Sequence, residues 1–568
     1  MRWLVALSLI LTLLLAAGYA PFKTPFGEAA SSAITAEEQQ IISFVNGSEA
    51  YEYDLELEEI SERHFACRSG GTSGAEEAAL WLKGQLESLN ISTRLEPFNF
   101  STWNLTSKPS MLIDEDADLN TTTDQVNLES FESSWMSPPT PQNGTLADVV
   151  VLPLPDAENK TVFDQVQGHP AWPEVISGRI LLLGQETLWK WQWVQELQWI
   201  LNFQTPAAFV YTWWYEWAAP TSPNIPWTQW SRSPVGIVGY DDGLMIRERE
   251  NASDISAFIK LDSETTDETH YNVVGEIRGC LEPEKKVIIS SHYDTINCNG
   301  FCDNGAGTAG VLEIAKVVSE AVRTGIYRPK YTILFVMFTT EEYYLVGSAN
   351  YVMQHKDDMP NIVAVINLDC IGSDDMFVTQ TEPSTILDLD QTLVAAAQDL
   401  NMTITVEINA ASDHETFRDP VAIAEQFQMI WGLDANISDA IPVNASSMIY
   451  SEPLYPADVW TMGVPGCIHT SYDNSTSTAT MSWVEIDDLG NHIRFATLAT
   501  IRVSQNIPSP DIDHSGIVDM RDIAAVCRAF GSERGDDEWN YLLDLNADGI
   551  VNMRDISIAC LNFMKHFP

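Results

Sequence analysis

Three long apolar runs, at residues 287–292, 331–338 and 362–368, constrain this chain more than any other feature. None shows the polar alternation of a strand with one wet face. Each is therefore expected to be a strand covered on both faces by helices. Gly310 to Val322 carries a helical pattern between the first two runs. That gives the strand–helix–strand order of a parallel sheet, and the block from Tyr271 to Ser504 reads as an α/β unit.

The residues that close these runs matter next. His292 ends the first, Glu341 and Glu342 follow the second, and Asp369 ends the third. Asp303 lies in a glycine-rich turn that opens a helix, and His469 follows much later. In open parallel sheets, ligands collect in the crevice beyond the carboxyl ends of the strands. Groups far apart in sequence can thus converge with little ordering of loops. Two histidines and three carboxylates form the donor set for two zinc ions sharing one carboxylate, and a further glutamate is left to move protons. A single strand-end aspartate is ordinarily structural. The combination, in this order, points to a metal centre.

Bulk properties narrow the class. At 568 residues the chain exceeds what one core supports, so several domains are expected. The 80 acidic residues outnumber the 30 basic ones, for a formal net charge of −50, which argues against nucleic acid or anionic membranes as partners. Arg2, the apolar run Trp3–Ala17 and the small residues of Gly18-Tyr19-Ala20 read as a secretory signal, with an uncleaved anchor as the alternative. Twelve Asn-x-Ser/Thr triplets, among them Asn104, Asn143 and Asn444, agree with a secreted, glycosylated chain. Eight cysteines are too few for a disulfide scaffold, and the pairs Cys298/Cys302 and Cys527/Cys560 are each open to being bridged or free.

Along the chain, Thr35 is placed to cap a helix whose apolar face is Ile41, Ile42 and Val45, a second helix is expected over Ala75–Leu89, and Ile91–Phe100 reads as a strand. Residues 101–145 are rich in Ser, Thr, Asp and Pro and read as an exposed connection. From Leu146 to Asp262 short apolar strands appear at 149–152 and 179–184, and 235–243 ends in a turn. Half of the 18 tryptophans fall between Trp189 and Trp230, as packing for this segment's own core or as a surface that grips a sugar or peptide. The tail contains a repeat. Asp511, Asp513, Ser515, Ile517, Asp519 and Asp522 are matched by Asp544, Asn546, Asp548, Ile550, Asn552 and Asp555. Side-chain oxygens at loop positions 1, 3, 5, 9 and 12, a main-chain carbonyl at 7 and glycine at 6 form a calcium loop, so two calcium ions are expected.

The stretches around His292-Tyr293-Asp294, Asp303-Asn304-Gly305, Glu341-Glu342, Asp369-Cys370-Ile371-Gly372 and His469 to Asp473 together resemble secreted zinc exopeptidases of the aminopeptidase S and glutamate carboxypeptidase II type. The similarity extends over about residues 35–100 and 268–504. It implies a three-layer zinc-peptidase (phosphorylase/hydrolase-like) α/β fold with a mixed central sheet. It also implies that Asp303 bridges two zincs, that His292 and Asp369 complete one site, and that Glu342 and His469 complete the other. Glu341 would be the general base, and Asp294 would orient His292 through its other ring nitrogen; Asp473 would act similarly near His469. Peptides outside the cell are the implied substrates, with aminopeptidase action first. Carboxypeptidase action, cyclising transfer on N-terminal glutamine, or a non-catalytic receptor-like role are the alternatives.

One departure concerns Ser412-Asp413-His414, which relatives carry shortly before the final histidine. Here it lies well ahead of His469, with 418–456 reading as inserted and Asp458 as a competing equivalent. His414 is not assigned as a ligand. Residues 146–265 resemble a β-rich protease-associated insert, and 508–568 resemble a small α-helical type I dockerin, whose partner would be a cohesin on a scaffold or cell surface. The expected organisation is a signal at 1–20, the first part of the peptidase at 21–145, the insert, the di-zinc peptidase at 266–505, and the dockerin.

Overall fold

The computed structural model describes residues 34–64, 67–114, 125–134, 136–151, 177–183, 206–212, 231–296, 298–372, 375–379, 389–407, 412–443, 445–451, 473–476, 484–505, 508–513, 515–533, 536 and 539–566. The export segment, the tryptophans from Trp189 to Trp230, Asp458 and His469 lie outside these residues.

The described chain opens with helices α1 (Ala36–Ile42), α2 (Gly47–Arg63) and α3 (Ser73–Ser88), then strand β1 (Ser92–Leu105). Thr35 caps α1 as its position predicts. Its hydroxyl accepts the Glu38 N–H at 3.1 Å while the Glu38 carboxylate accepts the Thr35 N–H at 2.8 Å. Ile41, Ile42 and Val45 are buried.

The chain next builds a second sheet from β2 (Ser110–Asp114), β3 (Gln125–Asn127), β4 (Glu132–Ser133), β5 (Thr145–Val151), β6 (Ile180–Leu183), β7 (Ala208–Thr212), β8 (Val235–Val238) and, after helix α4 (Tyr240–Ala252), β9 (Ser256–Lys260). The strand order is β3-β2-β9-β5-β6-β7-β8-β4. Two expectations change here. The described parts of 101–145 are not merely an exposed connection, because 101–105 continue β1 and Met111, Ile113, Leu128 and Phe131 enter the second sheet's core. The stretch ending at Gly243 runs into α4 rather than a turn, with Asp241 and Asp242 in the first helical turn, where the helix dipole favours negative charge.

The first sheet resumes with β10 (Ser263–Ile277), β11 (Glu282–His292), helix α5 (Gly307–Arg323), β12 (Tyr331–Phe338), helix α6 (Val346–Gln354), β13 (Ile362–Asp369), β14 (Asp375–Thr379), helix α7 (Leu389–Asp399), β15 (Ile404–Glu407), helices α8 (His414–Arg418) and α9 (Pro420–Ile430), β16 (Ala445–Ser451) and helix α10 (Ile486–Val503). Its order is β1-β10-β12-β11-β13-β16-β14-β15. β11 pairs in parallel with β12 and β13, while β1 and β10 are antiparallel, so the sheet is mixed.

Helices cover both faces. Val287 and Ile289 of β11, with Ile333, Phe335 and Met337 of β12, face α2, α3, α5 and α10. Ile288, Leu334, Val336 and Phe338 face the other way, into the cluster holding Tyr351 of α6 and Phe417 of α8. Successive side chains thus enter opposite cores, which is why these runs show no polar alternation. In the tail, α11 (Met520–Arg528) and α12 (Met553–Leu561) pack through Val526, Leu545, Val551 and Ala559. Cys298, Cys302, Cys527 and Cys560 carry free thiols.

Candidate metal centre

β11 delivers His292 at its carboxyl end, almost fully buried. Its Nε2 lies 3.3 Å from Asp303 Oδ1 and 3.5 Å from Asp369 Oδ1. Two ligands bonded to zinc at about 2.05 Å with a tetrahedral angle stand about 3.3 Å apart. These three side chains therefore have the spacing of neighbours around one zinc ion. Glu341 Oε2 is farther, 3.9 Å from the same nitrogen. Ligand atoms of His292, Glu341 and Glu342 also group closely enough for an ion, so the imidazole is common to both clusters.

Asp294 ties these groups together. The His292 Nδ1 lies 3.2 Å from the main-chain oxygen of Asp294 and 3.6 Å from its carboxylate. The same carboxylate accepts the N–H groups of Glu341 at 3.1 Å and Glu342 at 3.3 Å. Beyond the two glutamates the chain turns back tightly: a Cβ at Gly347 would stand 1.9 Å from the Thr339 carbonyl oxygen. Only glycine allows that approach.

The electrostatics call for a cation. Burial alone would depress the His292 pKa, but Glu341 and Asp369, with hydrogen bonds to Asp294 and Asp303, hold it well above the ordinary value. Burial drives Glu341 upward; His292 opposes that shift, while Glu342 and Asp413 add to it. An imidazole surrounded by buried carboxylates is a donor set suited to zinc, and the residues present fit such an ion.

Two neighbours of the centre are ones that sequence spacing left unassigned. Ser412 Oγ donates to Asp369 Oδ2 at 2.5 Å and accepts from Asn367 Nδ2 at 2.8 Å. Asp413 is fully buried, and that burial pushes its pKa to about 7 against the pull of His292. Their distance in sequence from His469 hid them; the Ser-Asp-His stretch itself was the signal. His414 is buried beside them but belongs to neither candidate metal cluster.

Farther back, His492 on α10 accepts the Gly372 N–H at Nδ1, at 3.0 Å, just beyond Asp369. Burial lowers its pKa to about 4. Above the ordinary value near 6.5 both folded and unfolded states are neutral, and nothing is lost. As the pH falls from there towards 4, the unfolded chain takes up a proton that the folded chain refuses, and stability declines by up to about 3 kcal/mol. Denaturant titrations of His492→Gln should show a shallower acid loss over that window; an unchanged slope would count against this.

In the tail, Asp511 accepts the N–H groups of Ser515 and Gly516, and Asp544 those of Asp548 and Gly549. Asp522 accepts from Ile512, Asp513 and Asp519, and Asp555 from Asn546 and Asn552. Gly516 and Gly549 adopt φ of 86° and 87°, the left-handed conformation that position 6 requires. Asp511, Asp513 and Asp522 group tightly enough for an ion. The position-9 residues, Asp519 and Asn552, cap α11 and α12. Ile517 and Ile550 turn their carbonyls to Ser515 Oγ and Asn552 Nδ2.

Comparison with known proteins adds two domain matches: peptidase family M28 over residues 272–491 and the dockerin type I domain over 509–559. A glutamate carboxypeptidase 2 homolog from Caenorhabditis briggsae is 32% identical over 127 residues, covering 22% of this chain and 16% of its own. A probable zinc metalloprotease from Pyrenophora teres f. teres is 32% identical over 123 residues, covering 20% and 25%. The chain thus spans a quarter or less of the length of these curated relatives. The structure of BSAP, a zinc aminopeptidase from Bacillus subtilis, superposes with a TM-score of 0.57 at 18% identity, over 81% of this chain and 95% of that one, which establishes a shared fold.

Proposed function

We propose that this chain, which carries a peptidase family M28 domain followed by a dockerin type I domain, is an extracellular zinc aminopeptidase held to a cohesin-bearing partner. The observation that carries the reading is the shared imidazole. His292 has zinc-like spacing to Asp303 and Asp369, and Glu341 stands just outside that distance.

His292, Asp303 and Asp369, with Glu342 and His469, would hold two zinc ions, which when bound polarise a scissile carbonyl and acidify water. Glu341 then takes the water proton and passes it to the leaving amine. Asp294 fixes its main chain for that task by accepting its N–H at 3.1 Å. The zinc aminopeptidase from Bacillus subtilis, which shares this fold, supports action at the amino end of a peptide. The paired calcium loops of the tail support attachment of the enzyme, with calcium ordering the docking helices.

The test is a panel of peptides with free or acetylated amino ends and free or amidated carboxyl ends. Release of the first residue only from peptides with a free amino end, whether or not the carboxyl end is amidated, is the expected result. Release of the last residue from acetylated peptides would overturn it in favour of a carboxypeptidase. Ring closure of N-terminal glutamine without hydrolysis would overturn it in favour of a cyclase.

A further inference from the structure

The loop between His292 and Asp303 satisfies its buried main chain on side chains from distant parts of the sequence. Arg68, fully buried, donates to the carbonyls of Tyr293, Asn299 and Gly300, and also to the Ser61 hydroxyl and the Leu57 carbonyl on α2. Gly300 adopts φ of 64°, and a Cβ there would stand 2.0 Å from Thr295 Cγ2.

The N–H groups of this loop go elsewhere. Cys302 N–H donates to Asp473 Oδ1 at 2.6 Å, Asp303 N–H to Asp473 Oδ2 at 3.2 Å, and Phe301 N–H to the Asp473 main-chain oxygen at 3.5 Å. Three consecutive donors thus converge on one buried residue. The turn leaves helical angles at Asp303 (φ −112°, ψ 92°) and Asn304 (φ −132°, ψ 53°). Asp473 supplies the acceptors that the irregular turn requires, since buried N–H groups are almost always paired.

We infer that Asp473 is a positioning residue for Asp303: its carboxylate holds the two N–H groups that set where the Asp303 side chain can point. The inference rests on the metal reading of this centre and extends it to a residue outside the donor set. Asparagine at 473 keeps one acceptor oxygen but turns an NH2 group towards the second N–H. The loop then loses one bond outright, the other is no longer charge-assisted, and Asp303 is no longer fixed. Outer partners of this kind are worth roughly 10- to 100-fold in metal affinity.

The experiment loads metal-free full-length protein with cobalt and records both the affinity and the visible absorption band, which reports coordination geometry. Asp473→Asn should bind cobalt roughly 10- to 100-fold more weakly than the unaltered protein, with a changed band. Glu313→Gln serves as the control. Glu313 is buried and accepts the Asn46 N–H at 2.7 Å, away from the centre, so its loss should lower the Tm and leave the band unchanged. An Asp473→Asn protein with the unaltered affinity and band would overturn the inference alone. So would a variant that cannot fold, because Asp473 would then hold the domain rather than aim Asp303. Unaltered protein that takes up no cobalt would sink the metal reading and this inference together.

Discussion

Glu341→Gln is expected to lower turnover by roughly 10²- to 10⁴-fold while the protein keeps its zinc. Glutamine matches glutamate in size and preserves the N–H that anchors residue 341 on Asp294. It cannot accept the water proton. Because Glu341 stands 3.9 Å from the imidazole rather than at the 3.3 Å spacing of Asp303, zinc affinity should change little. Steady-state kinetics with metal analysis on the same sample checks both halves. A variant with normal turnover would show that another group is the base, and Asp413, a buried carboxyl that acts electrostatically on Glu341, is then the one to examine.

The second large effect concerns the tail. Among the described residues its buried apolar cluster is Val526, Ala529, Leu545, Val551 and Ala559, with six half-buried apolar residues around it, a small core for a domain that must fold alone. Acidic oxygens crowd each loop. Burial raises the Asp544 and Asp555 pKa values, with neighbouring carboxylates adding to the rise. Exchange into calcium-free, zinc-containing buffer should therefore abolish the helical signal of α11 and α12 and cohesin binding with it, while peptide cleavage continues. Helix content measured by circular dichroism, with and without calcium, checks this. A tail that keeps its helices and its partner without calcium would refute the calcium assignment.

Much of the centre was legible because the strands that carry it are buried on both faces. Runs such as 331–338 announce themselves by composition, and a metal-ligand-type side chain near the carboxyl end of each is where a parallel sheet gathers chemistry. The Thr35 cap was equally plain, since a side chain three residues from its partner needs no tertiary information. Residues 110–133 were harder. β3 and β4 are three and two residues long and set among polar neighbours, so their place is fixed only by pairing partners such as Gly236 and Ile237. Ser412 and Asp413 escape assignment because they lie well ahead of His469, and the Ser412 bond to Asp369 joins residues far apart in sequence. Asp473 is expected near His469, which lies outside the described residues; its bonds to the main chain of Cys302 and Asp303 are of a kind that side-chain patterns do not encode.

The two sheets are joined in a way that has its own consequence. β1 and β10 run antiparallel in unbroken register from Ser92 opposite Glu276 to Leu105 opposite Ser263. The Thr106 N–H then donates to the Asp262 oxygen at 3.0 Å, so the polypeptide leaves the first sheet and returns to it at adjacent points. The second sheet is thus a cassette grafted onto the tip of a long hairpin. Such an attachment lets the grafted portion lengthen, shorten or be exchanged without disturbing the frame that carries His292 and Asp369.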